Sequence, residues 1–312
     1  MAKQKPKPNH SLLIRLAVSV LLAVATVWLL ATHWQTVAAS LRAARHSQIS
    51  WLVAALVLMA CTFLIAAAIY CVLALHRLRY LPTTLVEAAS AFVNRLLPSG
   101  LGGLGLHGLY LYKRKHTVAE ATVVVSVNNL VGMAAHLALL AATLVLYPAA
   151  IHSFVHRVHV ASWPLAVGGL VVGMVAVATP RVRQRLARFM QNLLASVRRL
   201  RLVALLCALG LALLLTITYT CILFSVTRSL GMELNMVQVF IVFSLAMLTS
   251  TAVPTPGGLV GAEAGLFAGF VAYGESAASA GAAALLYRLI TYWLPLLPGL
   301  LALAIARRKK LV

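Results

Sequence analysis

Acidic residues are nearly missing from this chain. It has no Asp and only five Glu (Glu87, Glu120, Glu233, Glu263 and Glu275) against 26 Lys and Arg. With no Asp there is no acidic cluster for a magnesium site. There is also no P-loop and no spaced nucleophile and base. The sequence therefore predicts no enzyme, no cofactor and no energy source within the chain. Charge of either sign is scarce at 10% of residues, where soluble domains carry about 25%. The four cysteines (Cys61, Cys71, Cys207, Cys221) lie inside apolar segments without CxxC spacing. They read as small hydrophobic side chains, not disulfides or metal ligands.

Apolar residues fill the space left by the missing charge. They make up 62% of 312 residues, with a mean hydropathy of +0.96. No soluble fold hides that much apolar surface, so lipid must cover it. The net charge of +21 does not point to nucleic acid, because the basic residues collect at the ends of apolar segments. That placement orients helices in a membrane and suits anionic headgroups. The expected fold is an all-α polytopic membrane protein forming one integral domain over residues 1–312.

A spanning helix needs about 20 apolar residues. Six segments qualify, at 12–32, 49–75, 117–147, 161–179, 202–228 and 277–305. The first, behind Lys3, Lys5 and Lys7, is longer than the roughly 7–15 residues of a signal-peptide core, so it reads as an uncleaved helix. Two further stretches, 83–112 and 236–273, are broken by Leu97-Pro98-Ser99-Gly100-Leu101-Gly102-Gly103 and by Val253-Pro254-Thr255-Pro256-Gly257-Gly258. With both broken stretches returning to their side of entry, the inside collects the N-terminal lysines with Arg15, Arg77 and Arg79. It also collects Lys113-Arg114-Lys115, seven arginines from Arg181 to Arg201, and Arg307-Arg308-Lys309-Lys310. Arg42, Arg45, Arg157 and Arg228 are left outside. A single span through 83–112 would put the seven arginines outside, against the positive-inside rule. Re-entrant hairpins and pairs of full crossings give the same parity, so charge leaves both open. Both termini are expected in the cytoplasm of a bacterial inner membrane. Residues 181–201 carry apolar positions at helical spacing among the arginines, which predicts an amphipathic interfacial helix.

The two broken stretches resemble each other, and each sits between spans. Units 49–147 and 202–305, joined by span 161–179, then have opposite orientation, as in inverted-repeat transporters.

Several residues are candidates for a site. Thr255 is a good N-cap ahead of Pro256, and Gly257 and Gly258 permit close approach to a half-helix N-terminus that favours phosphate or carboxylate. Ser99, before Gly102 and Gly103, is the corresponding cap in the first unit. Glu263 and Arg288 are charges at membrane depth, each costing at least about 2.5–3.5 kcal/mol on insertion scales, so they are expected to pair. That pair either pins the hairpin or meets substrate. Arg95, beside Asn94, either binds phosphate or snorkels to the interface. His107, Asn128, Asn129 and His136 read first as helix–helix hydrogen-bonding groups. Thr249, Ser250 and Thr251 either line a polar path or bond to their own backbone. His152, His156 and His159 lack a supporting carboxylate or cysteine, so a metal site there is the weaker reading.

Pro254-Thr255-Pro256-Gly257-Gly258, Gly261-Ala262-Glu263, Leu285-Leu286-Tyr287-Arg288 and Trp293-Leu294-Pro295 with Gly299 resemble the transmembrane region of the lysylphosphatidylglycerol synthases, the flippase-like domain family. Leu97-Pro98 and Gly102-Gly103 fit less closely. His107 and Asn128-Asn129 stand where that family commonly has charged residues. The resemblance covers about residues 12–305. It implies the membrane part alone, without the aminoacyl-transfer domain, and translocation of a lipid or lipid-linked molecule between leaflets. The implied substrates are an anionic or aminoacylated phospholipid, a polyprenyl-linked glycan or a hopanoid-type lipid. The alternative is a non-transporting scaffold for a lipid-synthesis enzyme. That enzyme and a second copy of the chain are the protein partners left open.

Overall fold

A computed structural model describes residues 47–96, 101–149, 201–252 and 259–312, together with Arg42 and Arg45. The expected spans 12–32 and 161–179, the amphipathic segment 181–201 apart from Arg201, and the loop histidines lie outside the described residues. So do Ser99, Thr255, Gly257 and Gly258.

The described chain is helical. In order it forms α1 (Ile49–Leu73), α2 (Tyr80–Leu96), α3 (Leu101–Lys113), α4 (Val118–Leu146), α5 (Leu202–Ser229), α6 (Met236–Ala252), α7 (Leu259–Ala272), α8 (Ala277–Arg288), a wide π turn (Leu289–Trp293) and α9 (Leu296–Arg308). Among the described residues, four segments are long and apolar enough to cross a membrane: α1, α4, α5, and the composite Ala277–Arg308. These match four of the six spans read from sequence. Large apolar side chains point outward along them, among them Val145, Leu146, Leu202 and Leu297. Such a surface is stable only against lipid. The all-α polytopic expectation is met.

Local sequence explains the helix ends. Thr117 and Glu120 cap α4 reciprocally: the Glu120 N–H donates to Thr117 Oγ1 at 3.2 Å, and the Thr117 N–H donates to Glu120 Oε2 at 2.8 Å. Asn235 and Gln238 make the same exchange at the start of α6. Gly231 and Gly274 adopt positive φ just after α5 and α7, where the following N–H groups reach back to Thr227 and Phe270 carbonyls. A β-carbon resists that turn.

The bundle is organised around α1 and α5, which pack extensively against each other. The Gln48 N–H donates to the Ser229 carbonyl at 2.8 Å, so the start of α1 lies beside the end of α5 and the two run antiparallel. α2 packs on α3, and α6 on α7. At about 1.5 Å per residue, the 17 and 13 residues of α2 and α3 and the 17 and 14 of α6 and α7 all fall short of a hydrocarbon core of roughly 30 Å.

The ends of each pair are held close. The His76 N–H, in the loop after α1, donates to Nε2 of His116, in the loop before α4, at 3.2 Å. Thus α2 and α3 start and finish at one end of the bundle. Glu233 and Glu275 mark the loops that open and close the α6–α7 pair. They lie near enough that burial first, and the Glu233 charge second, push the Glu275 carboxyl up. These loops sit at the other end, beside the close of α5.

Glycines set the spacing inside each pair. Gly261, Gly265 and Gly269 recur every fourth residue on α7. A β-carbon on Gly265 would lie 2.7 Å from Ala246 Cα and collide with Thr249 Oγ1; on Gly261 it would strike the Thr249 carbonyl. Small residues at this spacing let helix backbones approach closely. Gly102 and Gly103 play the same part on α3. Gly102 lies on the Val93 backbone and Gly103 against Ser90 and Asn94.

Candidate polar cavities and their charged pairs

The last span carries Arg288 at an irregular point. Pro295 has no N–H, and the chain before it widens so that the Leu294 N–H reaches the Leu289 carbonyl at 2.8 Å. Such π turns are often found at functional sites. Arg288 stands at the last residue of α8. Its Nε lies 3.9 Å from Glu263 Oε1, and its guanidinium carbon sits 4.6 Å above the Tyr292 ring. The side chain of Arg288 is mostly buried, whereas that of Glu263 is 39% exposed. The expected meeting of the two charges is therefore present, with Glu263 on the more open side.

Arg288 faces a cavity of about 400 Å³, within the roughly 300–1,000 Å³ of ligand sites. Its lining comes from both halves of the chain. α1 supplies Thr62, α2 supplies Glu87 and Asn94, α6 supplies Ser250, and α8 with the π turn supplies Tyr287, Arg288, Thr291 and Tyr292. A second cavity of about 400 Å³ adjoins it, sharing Ala66, Glu87 and Asn94. Tyr70, Ser90, Gly103, His107, Asn128 and Asn129 complete its wall, with Leu215 opposite. Polar groups at this density inside an apolar bundle are costly unless they serve water or a ligand.

Glu87 and His107 are the charged pair of the second cavity. His107 Nε2 lies 2.9 Å from Glu87 Oε2, and the ring stacks on Tyr70 with centroids 4.0 Å apart and planes 13° off parallel. The contact is close, but no aligned hydrogen bond joins the two groups: Glu87 Oε2 and His107 Nδ1 are buried without a hydrogen-bond partner. His107 is 3% exposed. One wall is organised by the Gly103 N–H, which donates to Asn94 Oδ1 at 2.6 Å.

The residues read from sequence divide as follows. Glu263, Arg288, His107 and Gly103 are on or beside the cavities. Gly102 is packed into the α2–α3 contact. Arg95 lies in the last turn of α2, with its side chain outside the described residues. Asn128 and Asn129 line the second cavity. His136 instead lies between the rings of Phe240 and Phe243, 5.7 and 5.8 Å away, joining α4 to α6. Thr249 and Thr251 bond to their own backbone carbonyls, while Ser250 faces the first cavity. Sequence reasoning missed Glu87. Its signal was available: an acid in an apolar stretch of a chain with five acids. No group of three or more His, Cys, Asp or Glu suited to a metal occurs among the described residues.

The chain matches none of the curated proteins in sequence. Residues 12–299 match the family model of the lysylphosphatidylglycerol synthase TM region. The all-helical bundle, the four long apolar segments and the pairing of Glu263 with Arg288 agree with the motifs that carried the resemblance. The chain belongs to that family of membrane domains.

Proposed function

We propose that the protein is a lipid flippase or exporter, moving an anionic or otherwise phosphate-bearing lipid, or a lipid-linked molecule, between the leaflets of a bacterial inner membrane. One observation carries this reading. A polar cavity bearing Arg288 and Glu87 opens at membrane depth, between two pairs of helices too short to cross the core. A headgroup in such a cavity is solvated by protein while its acyl chains stay in lipid, which lowers the barrier to crossing. Arg288 suits a phosphate, and the half-buried Glu263 carboxylate lies 3.9 Å from its Nε.

The two short pairs are re-entrant hairpins in this reading. α2–α3 enters from the cytoplasmic end, with both termini there, and α6–α7 enters from the outside. The units 49–147 and 202–305 then form an inverted repeat around α1 and α5, the arrangement from which alternating access is commonly built. Arg95, in the last turn of α2, then stands at the deep end of its hairpin. The protein performs no covalent chemistry.

The test is a leaflet-resolved assay in vesicles containing the purified protein, with labelled phosphatidylglycerol, an aminoacylated phospholipid, a polyprenyl-linked glycan and a hopanoid-type lipid offered in turn. Faster movement of one or more of them over protein-free vesicles is expected. No acceleration with any of the four refutes transport and leaves the scaffold for a lipid-synthesis enzyme as the better account.

A further inference from the structure

We infer that Glu87 and His107 form a proton-binding site whose occupancy decides whether the adjoining cavities accept an anionic headgroup, so that lipid movement is coupled to a proton. This rests on the flippase reading above.

The case begins with charge counting. Glu87 and His107 touch at 2.9 Å inside a bundle where a net charge is expensive. With one proton between them the pair is neutral overall. A second proton leaves a carboxylic acid beside an imidazolium, with a net charge of +1. Loss of the only proton leaves a carboxylate, with a net charge of −1. The pair's own charge thus changes sign with protonation. In the +1 state it adds to the pull of Arg288 on an anion, and in the −1 state it opposes it.

The surroundings suit this role. A structural ion pair of this burial normally has its remaining polar atoms satisfied. Here the other ring nitrogen, His107 Nδ1, has no hydrogen-bond partner, although His107 lies against a cavity lined by Ser90, Asn94, Asn128 and Asn129. Those side chains accept from and donate to water, giving a proton a route to the imidazole. The ring stacked on Tyr70 at 4.0 Å gains cation–π attraction when it becomes imidazolium. Glu87 lines both cavities, so its charge is felt on the Arg288 side as well.

Other titratable groups on the two linings leave the pair in control. They are Arg288 from α8, Tyr70 from α1, Tyr219 from α5, Tyr287 from α8 and Tyr292 from the π turn. α4 contributes uncharged Asn128 and Asn129 there. α9 meets α2 through Gly299 against the Ala88 carbonyl and Phe92. The proton enters from water on the side where the headgroup binds, and it returns to water on the side where the headgroup is released. Lipid anion and proton cross together with no net charge.

The test uses the full-length protein in phosphatidylcholine vesicles carrying labelled phosphatidylglycerol, with a pH difference imposed and the membrane potential clamped by potassium and valinomycin. For one proton per lipid, a difference of one pH unit shifts the steady-state leaflet ratio up to about tenfold, with lipid accumulating away from the acidic side and no response to the clamped potential. In the Glu87→Gln and His107→Gln proteins, whatever their rate of lipid movement, the leaflet ratio is expected not to respond to pH, and a full response in either overturns the coupling. Exchange that proceeds in the wild type without any response to pH overturns the coupling and leaves transport standing. So does a response to sodium in place of protons. Absence of lipid movement overturns the transport reading instead. The pair is then judged by proton uptake in weakly buffered detergent solution. Addition of phosphatidylglycerol is expected to bind about one proton per wild-type chain by linkage, and none in the His107→Gln protein. Lack of uptake by the wild type overturns the proposal.

Discussion

Substituting Gly265 by Ala tests how the α6–α7 pair is held together. The added β-carbon would meet Ala246 Cα at 2.7 Å and Ala246 N at 3.0 Å, besides colliding with Thr249 Oγ1. Two of these three neighbours are backbone atoms, so a side-chain rotation cannot relieve the clash and α7 must shift away from α6. Overpacking of this kind costs about 1–3 kcal/mol. The same substitution raises helix propensity by about 1 kcal/mol, which sets the right control. Gly132 on α4 and Gly210 on α5 have open space where a β-carbon would go. Gly132→Ala and Gly210→Ala are therefore expected to be neutral or stabilising. Thermal unfolding of the purified proteins in one detergent, followed by the loss of a monodisperse elution peak, reads the difference directly. Gly265→Ala should unfold several degrees below the wild type and the two controls at or above it. Equal midpoints for all three would refute the close-packed pair, since the chemistry of the substitution is identical and only the neighbours differ.

Three other expectations follow from the same structure. Arg288→Lys keeps the charge but loses the planar stack over Tyr292; it should slow lipid movement in vesicles by about an order of magnitude or more while leaving thermal stability near wild type. Arg288→Ala with normal movement would show that the Glu263 pair only pins the hairpin. Thr117→Ala removes the acceptor for the Glu120 N–H and should cost about 1 kcal/mol, read as a lower unfolding midpoint. His116 is buried, which first of all lowers its pKa despite the compensating Leu111 carbonyl. With Nδ1 at 3.1 Å from that carbonyl and Nε2 accepting the His76 N–H, the neutral ring fits the site. A depressed folded value means stability that is present above the ordinary histidine range of about 6.5 and lost as pH falls below it. The wild type should therefore lose more stability between pH 8 and pH 5 than His116→Asn, and equal losses would reject a neutral ring held by the His76 N–H.

Much of the architecture was legible because membrane insertion writes itself in composition. Segments 49–75, 117–147, 202–228 and 277–305 are apolar enough that only a span fits, and helices occupy them. Pro98 and Pro254 with their neighbouring glycines marked the breaks, since such residues interrupt a helix wherever they fall. Glu263 and Arg288 could be paired in advance because a charge at membrane depth has few places to go. Glu87 escaped notice although the same rule applied to it. Its partner, His107, is neutral or charged according to its surroundings, and sequence does not show surroundings. The two roles of Thr249 and Ser250 also needed coordinates. Adjacent residues on a helix point in different directions, and which one faces a cavity depends on how α6 is rotated. The wide turn after Arg288 was hidden for another reason: Pro295 is visible, but the chain upstream can respond by kinking, fraying or widening.

That wide turn divides the last span between two neighbourhoods. Above it α8 lies against α5 and α7, and below it α9 lies against α2, with Gly299 on the Ala88 carbonyl. One continuous helix therefore belongs to both halves of the molecule, and the extra residue in the turn fixes the angular phase between them. Winding the same residues as an ordinary α-helix, with none removed, would rotate α9 by about 100° relative to α8 and carry Gly299 off its seat on α2. The span thus has the form of a crankshaft: the winding just after Arg288 sets where α9 meets the helix that carries Glu87.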